Sequence, residues 1–158
     1  MSALTLIHVA ISLVGIATGF VVAAGLLSST MSRGWTILFL ATTILTSLTG
    51  FVLPAASLLP SHIVAILSLV LLAVAVFALY RKHLSGIWRA IYVVTALISL
   101  YLNVFVLIIQ SFLKVPALKA LAPTQTEPAF VAVQAVVLAL FVILTILAAI
   151  RFRSPAVA

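Results

Sequence analysis

Two histidines, three carboxamides and one acid carry most of the chemistry open to this sequence. His8 and His62 stand near the starts of separate apolar runs, Asn103 and Gln110 lie in a third, and Gln134 follows Glu127 by seven residues. Imidazoles on two separate helices with apolar surroundings are what bis-histidine ligation of a b-type haem requires, and the same pair could contact a quinol. Ser12 and Ser61 set hydroxyls near these histidines, but Glu127 is the only carboxylate side chain in the chain, so no acid except Glu127, from a separate helix end, is available to orient either imidazole for nucleophilic catalysis. Copper or zinc held by His8, His62 and Glu127 would draw on three segments without a local ligand motif. Paired-carboxylate hydrolysis, carboxylate-rich calcium sites and buried acid relays are excluded within one copy, and the absence of cysteine excludes thiol redox chemistry and thiolate metal sites. The expectation is a protein that is not an enzyme.

The elements that must position these residues are membrane spans. Of 158 residues, 66% are apolar and 6% charged, with a mean hydropathy of +1.51, which no soluble globular domain shows. Apolar runs at about 4–27, 35–53, 62–80, 87–113 and 128–150 each reach the roughly 18 residues that mark a span. The predicted fold is a single all-α polytopic transmembrane bundle of five spans. A four-span arrangement, with the first run removed or the second lying in the interface, is the alternative.

The fourth run organises the rest. Tyr92, Thr95, Ser99, Asn103 and Gln110 follow one another at three, four, four and seven residues and so share one helix face. An amide in hydrocarbon is costly without a partner, so this face must meet protein. His8, Ser12, Gly15 and Gly19 form a similar stripe on the first run, and the GxxxG of Gly15 and Gly19 permits close approach of another helix. Thr43, Ser47, Gly50 and Pro54 repeat the spacing on the second run, beside a stripe of Thr42, Thr46 and Thr49. The connection from Pro54 to Ser61 is uncharged, Pro116–Leu121 reads as a short interfacial helix, Thr126 as an N-cap and Ser154–Ala158 as a disordered tail.

Arg33, Arg81, Lys82, Arg89, Arg151 and Arg153 fall on one side of a five-span threading and Lys114 and Lys119 on the other, which sets the N-terminus outside and the C-terminus inside. Trp35, Tyr80, Trp88 and Tyr92 agree with an aromatic belt at the inner interface, and His83 belongs to a basic loop suited to anionic lipid. The threading brings His8, Ser12, His62, Ser99, Asn103, Gln110, Glu127 and Gln134 toward one polar pocket in the outer half, with Asn103 and Gln134 about 10 Å below the outer helix ends.

Three functions compete for that pocket: a non-catalytic accessory, assembly or self-associating component in a homo-oligomer or larger membrane complex; a transporter or channel for a small polar molecule; and haem b or quinol binding through His8 and His62. The lipid bilayer is the expected surrounding, and the position of the basic residues at segment ends argues against nucleic acid.

The runs Pro60-Ser61-His62, Tyr101-Leu102-Asn103-Val104-Phe105 and Ala122-Pro123-Thr124-Gln125-Thr126-Glu127-Pro128 resemble those of small uncharacterised bacterial inner-membrane proteins. The resemblance covers most of the chain. It implies a multi-pass helical protein of the bacterial inner membrane and carries no activity or site residue with it.

Overall fold

The computed structural model describes residues 3–52 and 60–153. The connection that begins at Pro54, the side chain of Ser61 and the tail Ser154–Ala158 lie outside the described residues.

Six α-helices follow in order: α1 (Ala3–Leu27), α2 (Arg33–Val52), α3 (Pro60–Val76), α4 (Ile87–Lys114), α5 (Pro116–Leu121) and α6 (Pro128–Arg151). The last turn of α3 widens into a π-helical turn, Phe77–Arg81, before the basic loop. Five of these segments are long and apolar enough to cross a membrane, and the described residues contain no strand. Pro116–Leu121 is the short helix α5, with Pro116 at its first position, where a missing N–H costs nothing.

The helices form a ring with one strut. α1 packs on α2 and α4, and α3 packs on the same two, so α1 to α4 enclose a common axis. Neighbours in the chain are antiparallel, as short connections require. α6 lies outside this ring against α4 and α1, and only Phe141 and Ala148 on it are buried. Phe141 enters the seam with its ring 6.0 Å from that of Phe20 and 5.5 Å from that of Tyr101. Val137, Leu144 and Ala149 pack partly against the core, and the face of α6 turned away from it is exposed and apolar.

The ring differs along its length. Toward the α1–α2 and α3–α4 connections it is filled by Leu26, Phe39, Leu72, Ala75, Tyr92, Val93, Leu97 and Leu100, all buried. Gly19 makes this fit possible, because Leu100 and Phe39 press against the space its missing Cβ would fill. Tyr92 is therefore a core residue and not part of an aromatic belt; the expectation fails because α4 turns this face inward over its whole length. Trp35 and Tyr80 are exposed, and Trp88 stacks edge-on with Phe77 while the Lys82 ammonium lies over both rings.

The end of α6 is fastened to the ring by backbone contacts. Arg89 Nη1 donates to the carbonyl of Phe152, one of the carbonyls a helix C-terminus leaves without a partner. Ser29 accepts from the Arg153 N–H at 2.8 Å and donates to the Arg153 carbonyl at 3.2 Å. Arg89→Gln is expected to cost about 1.5 kcal/mol, the lower end for a hydrogen bond to a charged group, and to loosen α6 alone. Faster amide exchange confined to the last turns of α6 is the check.

Candidate functional site

The described residues leave the opposite half of the ring unfilled. A cavity of about 460 Å³ opens where α1 and α3 begin and α2 and α4 end, within the range of roughly 300–1,000 Å³ usual for ligand sites. α1 contributes Thr5, His8 and Ser12, α2 Thr46, Ser47 and Gly50, α3 His62 and Ser68, and α4 Asn103, Gln110, Ser111 and Lys114. Val9, Leu13, Val64, Val106 and Leu107 make up much of the wall between them. The site is amphipathic, and no carboxylate lines it.

Each polar group reaches the cavity because helical spacing repeats along its element. His8 and Ser12 are one turn apart, and Ser47 and Gly50 lie on the inward face of α2. The hydroxyls of Thr46, Ser47 and Ser111 donate to the carbonyls of Thr42, Thr43 and Leu107 on their own helices, at 2.9, 3.1 and 2.7 Å. Their hydrogens are thus spent, and toward the cavity these groups are acceptors.

His8 has a defined role in this arrangement. Its Nδ1 lies 2.8 Å from Thr49 Oγ1, and Thr49 donates to the Leu45 carbonyl at 2.7 Å. The threonine hydrogen being taken, His8 Nδ1–H is the donor, which leaves Nε2 as the acceptor of a neutral ring. His62 packs its ring 5.7 Å from that of Phe51 at the mouth of the same cavity. Both histidines line one space, but the described residues hold no group of three or more histidine, cysteine or acidic side chains able to hold a metal.

One turn beyond Ser12 on α1, Gly15 no longer lines the cavity. A Cβ there would come 3.2 Å from Thr42 Oγ1, 3.3 Å from Thr43 Oγ1 and 3.4 Å from Asn103 Nδ2, so three polar atoms from α2 and α4 converge on the glycine of α1. Thr42 Oγ1 donates to the Leu38 carbonyl at 2.6 Å, whereas Thr43 Oγ1 and Asn103 Nδ2 are buried without a hydrogen-bond partner. One turn further, at Gly19, the space is taken by Leu100 and Phe39.

Of the eight residues expected in one pocket, His8, Ser12, His62, Asn103 and Gln110 line the cavity, and Ser99, Glu127 and Gln134 do not. Ser99 sits one turn too deep, in the filled half, where its hydroxyl donates to the Thr95 carbonyl at 2.8 Å. Gln134 has its Nε2 directed at the Phe105 carbonyl at 3.3 Å, on the outer side of α4, because α6 is the strut and not a member of the ring. Its depth follows from residue count, but its direction depends on which neighbour α6 chooses. Glu127 stays in the connection before α6.

Glu127, not Thr126, is the N-cap of α6. Its carboxylate turns back to accept from the Thr124 N–H at 3.1 Å, the Thr124 hydroxyl at 2.8 Å and the Thr126 N–H at 3.1 Å. Desolvation by the surrounding turn works upward on its pKa, but these hydrogen bonds outweigh it and hold the carboxyl below its ordinary value. A depressed folded-state pKa contributes stability above the ordinary carboxylate range that is lost as pH falls through the depressed value. Protection of the Thr124 and Thr126 amides is therefore expected near neutral pH, to disappear on acidification in the wild type, and to be weak throughout in Glu127→Gln.

Thr5, Ser68, Ser111 and Lys114 belong to the cavity without having stood out in the sequence. Ser111 and Lys114 sit one and four residues after Gln110, so the Gln110 face carried the signal. Thr46, Ser47 and Gly50 lay on stripes that packing alone would also explain. No protein-family model, curated protein or solved structure matches this chain. What the geometry of the described residues defines is an apolar helical bundle, five of its helices long and apolar enough to cross a membrane, with an amphipathic cavity at one end.

Proposed function

We propose that this chain is a non-catalytic component of a bacterial inner membrane that holds a small amphiphilic molecule between α1 and α4, acting as an accessory or self-associating subunit. The observation that carries the reading is the cavity: four helices give it polar groups on an apolar wall, and it ends against a filled layer. A site of that form binds; a path through the membrane would need the same polar lining beyond Gly19, where Phe39 and Leu100 stand. The six basic residues at the filled end and Lys114 and Lys119 at the cavity end support an opening toward the extracytoplasmic side. The resemblance to small inner-membrane proteins supports the location.

Native mass spectrometry of the protein released from lipid nanodiscs tests binding directly. Wild type is expected to carry a small-molecule adduct that Gly50→Phe, whose ring would project toward His8, excludes. Wild type without an adduct and with no difference from the variant overturns the binding reading. A lone monomer on a blue-native gel in mild detergent overturns the accessory part.

A second reading rests on His8 and His62 sharing the cavity, with His8 Nε2 left as an acceptor: haem b ligation or contact with a quinol. Protein purified from haem-replete cells without a Soret band removes the haem form of it.

A further inference from the structure

We propose that the guest of the cavity is an amphiphile with one negative charge, its head held at the mouth by Lys114 and Gln110 and one apolar chain laid inward between α1, α3 and α4. The inference rests on the binding reading above and specifies the chemistry of that site. Lys114 ends α4, is exposed, and is the one lysine or arginine among the lining residues. No carboxylate accompanies it there: Glu127, the only acidic side chain in the chain, is engaged by Thr124 and Thr126 in the connection before α6. The entrance therefore carries a positive charge with no counter-charge among the lining residues. A cationic head meets repulsion, a neutral head forgoes the charge, and an anionic head gains a charge-assisted hydrogen bond. Gln110, one turn deeper on the same face of α4, offers an amide N–H to the same head.

The interior accepts the chain and turns the head back. Val9, Leu13, Val64, Ala65, Leu102 and Val106 give the chain an apolar wall. The hydroxyls of Thr46 and Ser47 spend their hydrogens on their own helix, so an alkyl chain lying over them strands no donor, whereas an anion at that depth would face oxygen lone pairs. His8 acts in the same sense, since its Nδ1–H is given to Thr49 and its Nε2 is an acceptor. At the mouth water still reaches the Lys114 ammonium, so pairing there avoids the desolvation cost of a buried ion pair. Leu102 lies twelve residues before Lys114, about 18 Å along α4, which leaves length for one extended chain behind the head. Free fatty acids carry such a head, and so do singly charged phospholipids that place one of their chains in the cavity.

The test uses the full chain in nanodiscs of zwitterionic phosphatidylcholine at about pH 8, well above the ordinary carboxyl range. Three probes share one chain and differ in the head: decanoate, decanol and decyltrimethylammonium, with uptake by protein-free nanodiscs subtracted. Decanoate is expected to bind about tenfold more tightly than decanol, the effect of one charge-assisted hydrogen bond, with the cation weakest. Lys114→Arg should keep the preference, Lys114→Gln should erase it while decanol still binds, and Lys114→Glu should reverse it in favour of the cation. Lys119→Gln removes an equal charge from α5, outside the cavity, and should leave the preference as it is. The mass of the adduct that the protein carries from its native membrane, a fatty acid or a phospholipid, assigns the source of the head. A preference for decanoate that survives Lys114→Gln overturns the inference, since the net charge of +7 would then be its cause. Equal binding of the three probes also overturns it and leaves the cavity reading intact. No binding of any probe overturns the cavity reading itself.

Discussion

Gly19→Leu is expected to destabilise the bundle more than any other single substitution on α1. A Cβ at Gly19 would overlap Leu100 Cδ1 and come 2.9 Å from the Phe39 ring, and neither neighbour has room to retreat, since Leu100 is 0% and Phe39 1% exposed. Replacing glycine in a helix interior gains about 1 kcal/mol of propensity. Overpacking costs typically about 1–3 kcal/mol for a modest insertion, and four added carbons against a fully buried pair lie at or beyond that upper end. The clash decides the sign, and α1 must separate from α2 and α4. Unfolding in a mixed-micelle titration with SDS should shift to lower SDS by an amount corresponding to about 2–3 kcal/mol, or the variant should fail to accumulate. Gly50→Ala is the control: its Cβ would meet only His8 Cε1 at 3.8 Å, an ordinary contact, and stability should be unchanged or slightly raised.

Leu100→Ala removes material from the same layer and is expected to act twice. Deleting a buried leucine side chain costs about 2–5 kcal/mol in water-soluble cores, where lost transfer from water and a residual cavity both contribute. In a bilayer the transfer part is small, because lipid tails are as apolar as leucine, and the lost packing contacts remain. The expected cost is therefore near the lower end, about 2 kcal/mol, read by the same SDS titration. The second effect is on shape. Leu100 belongs to the filled half, on the helix whose Leu102 and Asn103 line the cavity, so its loss should deepen the cavity and admit longer apolar probes than wild type takes up. A variant with wild-type stability and unchanged probe length would mean that Leu100 is not the floor.

The helix ends were legible because the punctuation is chemical: Arg33, the Arg81 to Arg89 loop, Pro116, Pro128 and Arg151 bound the apolar runs, and proline and charge act locally. The inward face of α4 was legible for the same kind of reason, since the amides of Asn103 and Gln110 are costly in lipid without a partner. Where along that face the interior would be full or empty was not. Ser99 and Asn103 look alike in the sequence, and what separates them is Leu100 and Phe39 closing on Gly19, a match of volumes among three helices.

α6 marks a second boundary of sequence reading. A helix apolar on every side does not declare which side packs, so residue count gave the depth of Gln134 but not its direction toward Phe105. Hydroxyls were ambiguous in another way. Thr46 and Ser47 spend their hydrogens on their own helix, and a packing role and a cavity-lining role leave the same spacing behind.

The unequal filling of the ring also says how the molecule should move. Side chains interlocked around Phe39, Leu97 and Tyr92 make one end of the bundle a rigid clamp, while the helix ends bearing His8 and His62 border open volume and can splay by bending about that clamp. Admission of a guest then asks only for a parting of helix tips, with the far loops standing still.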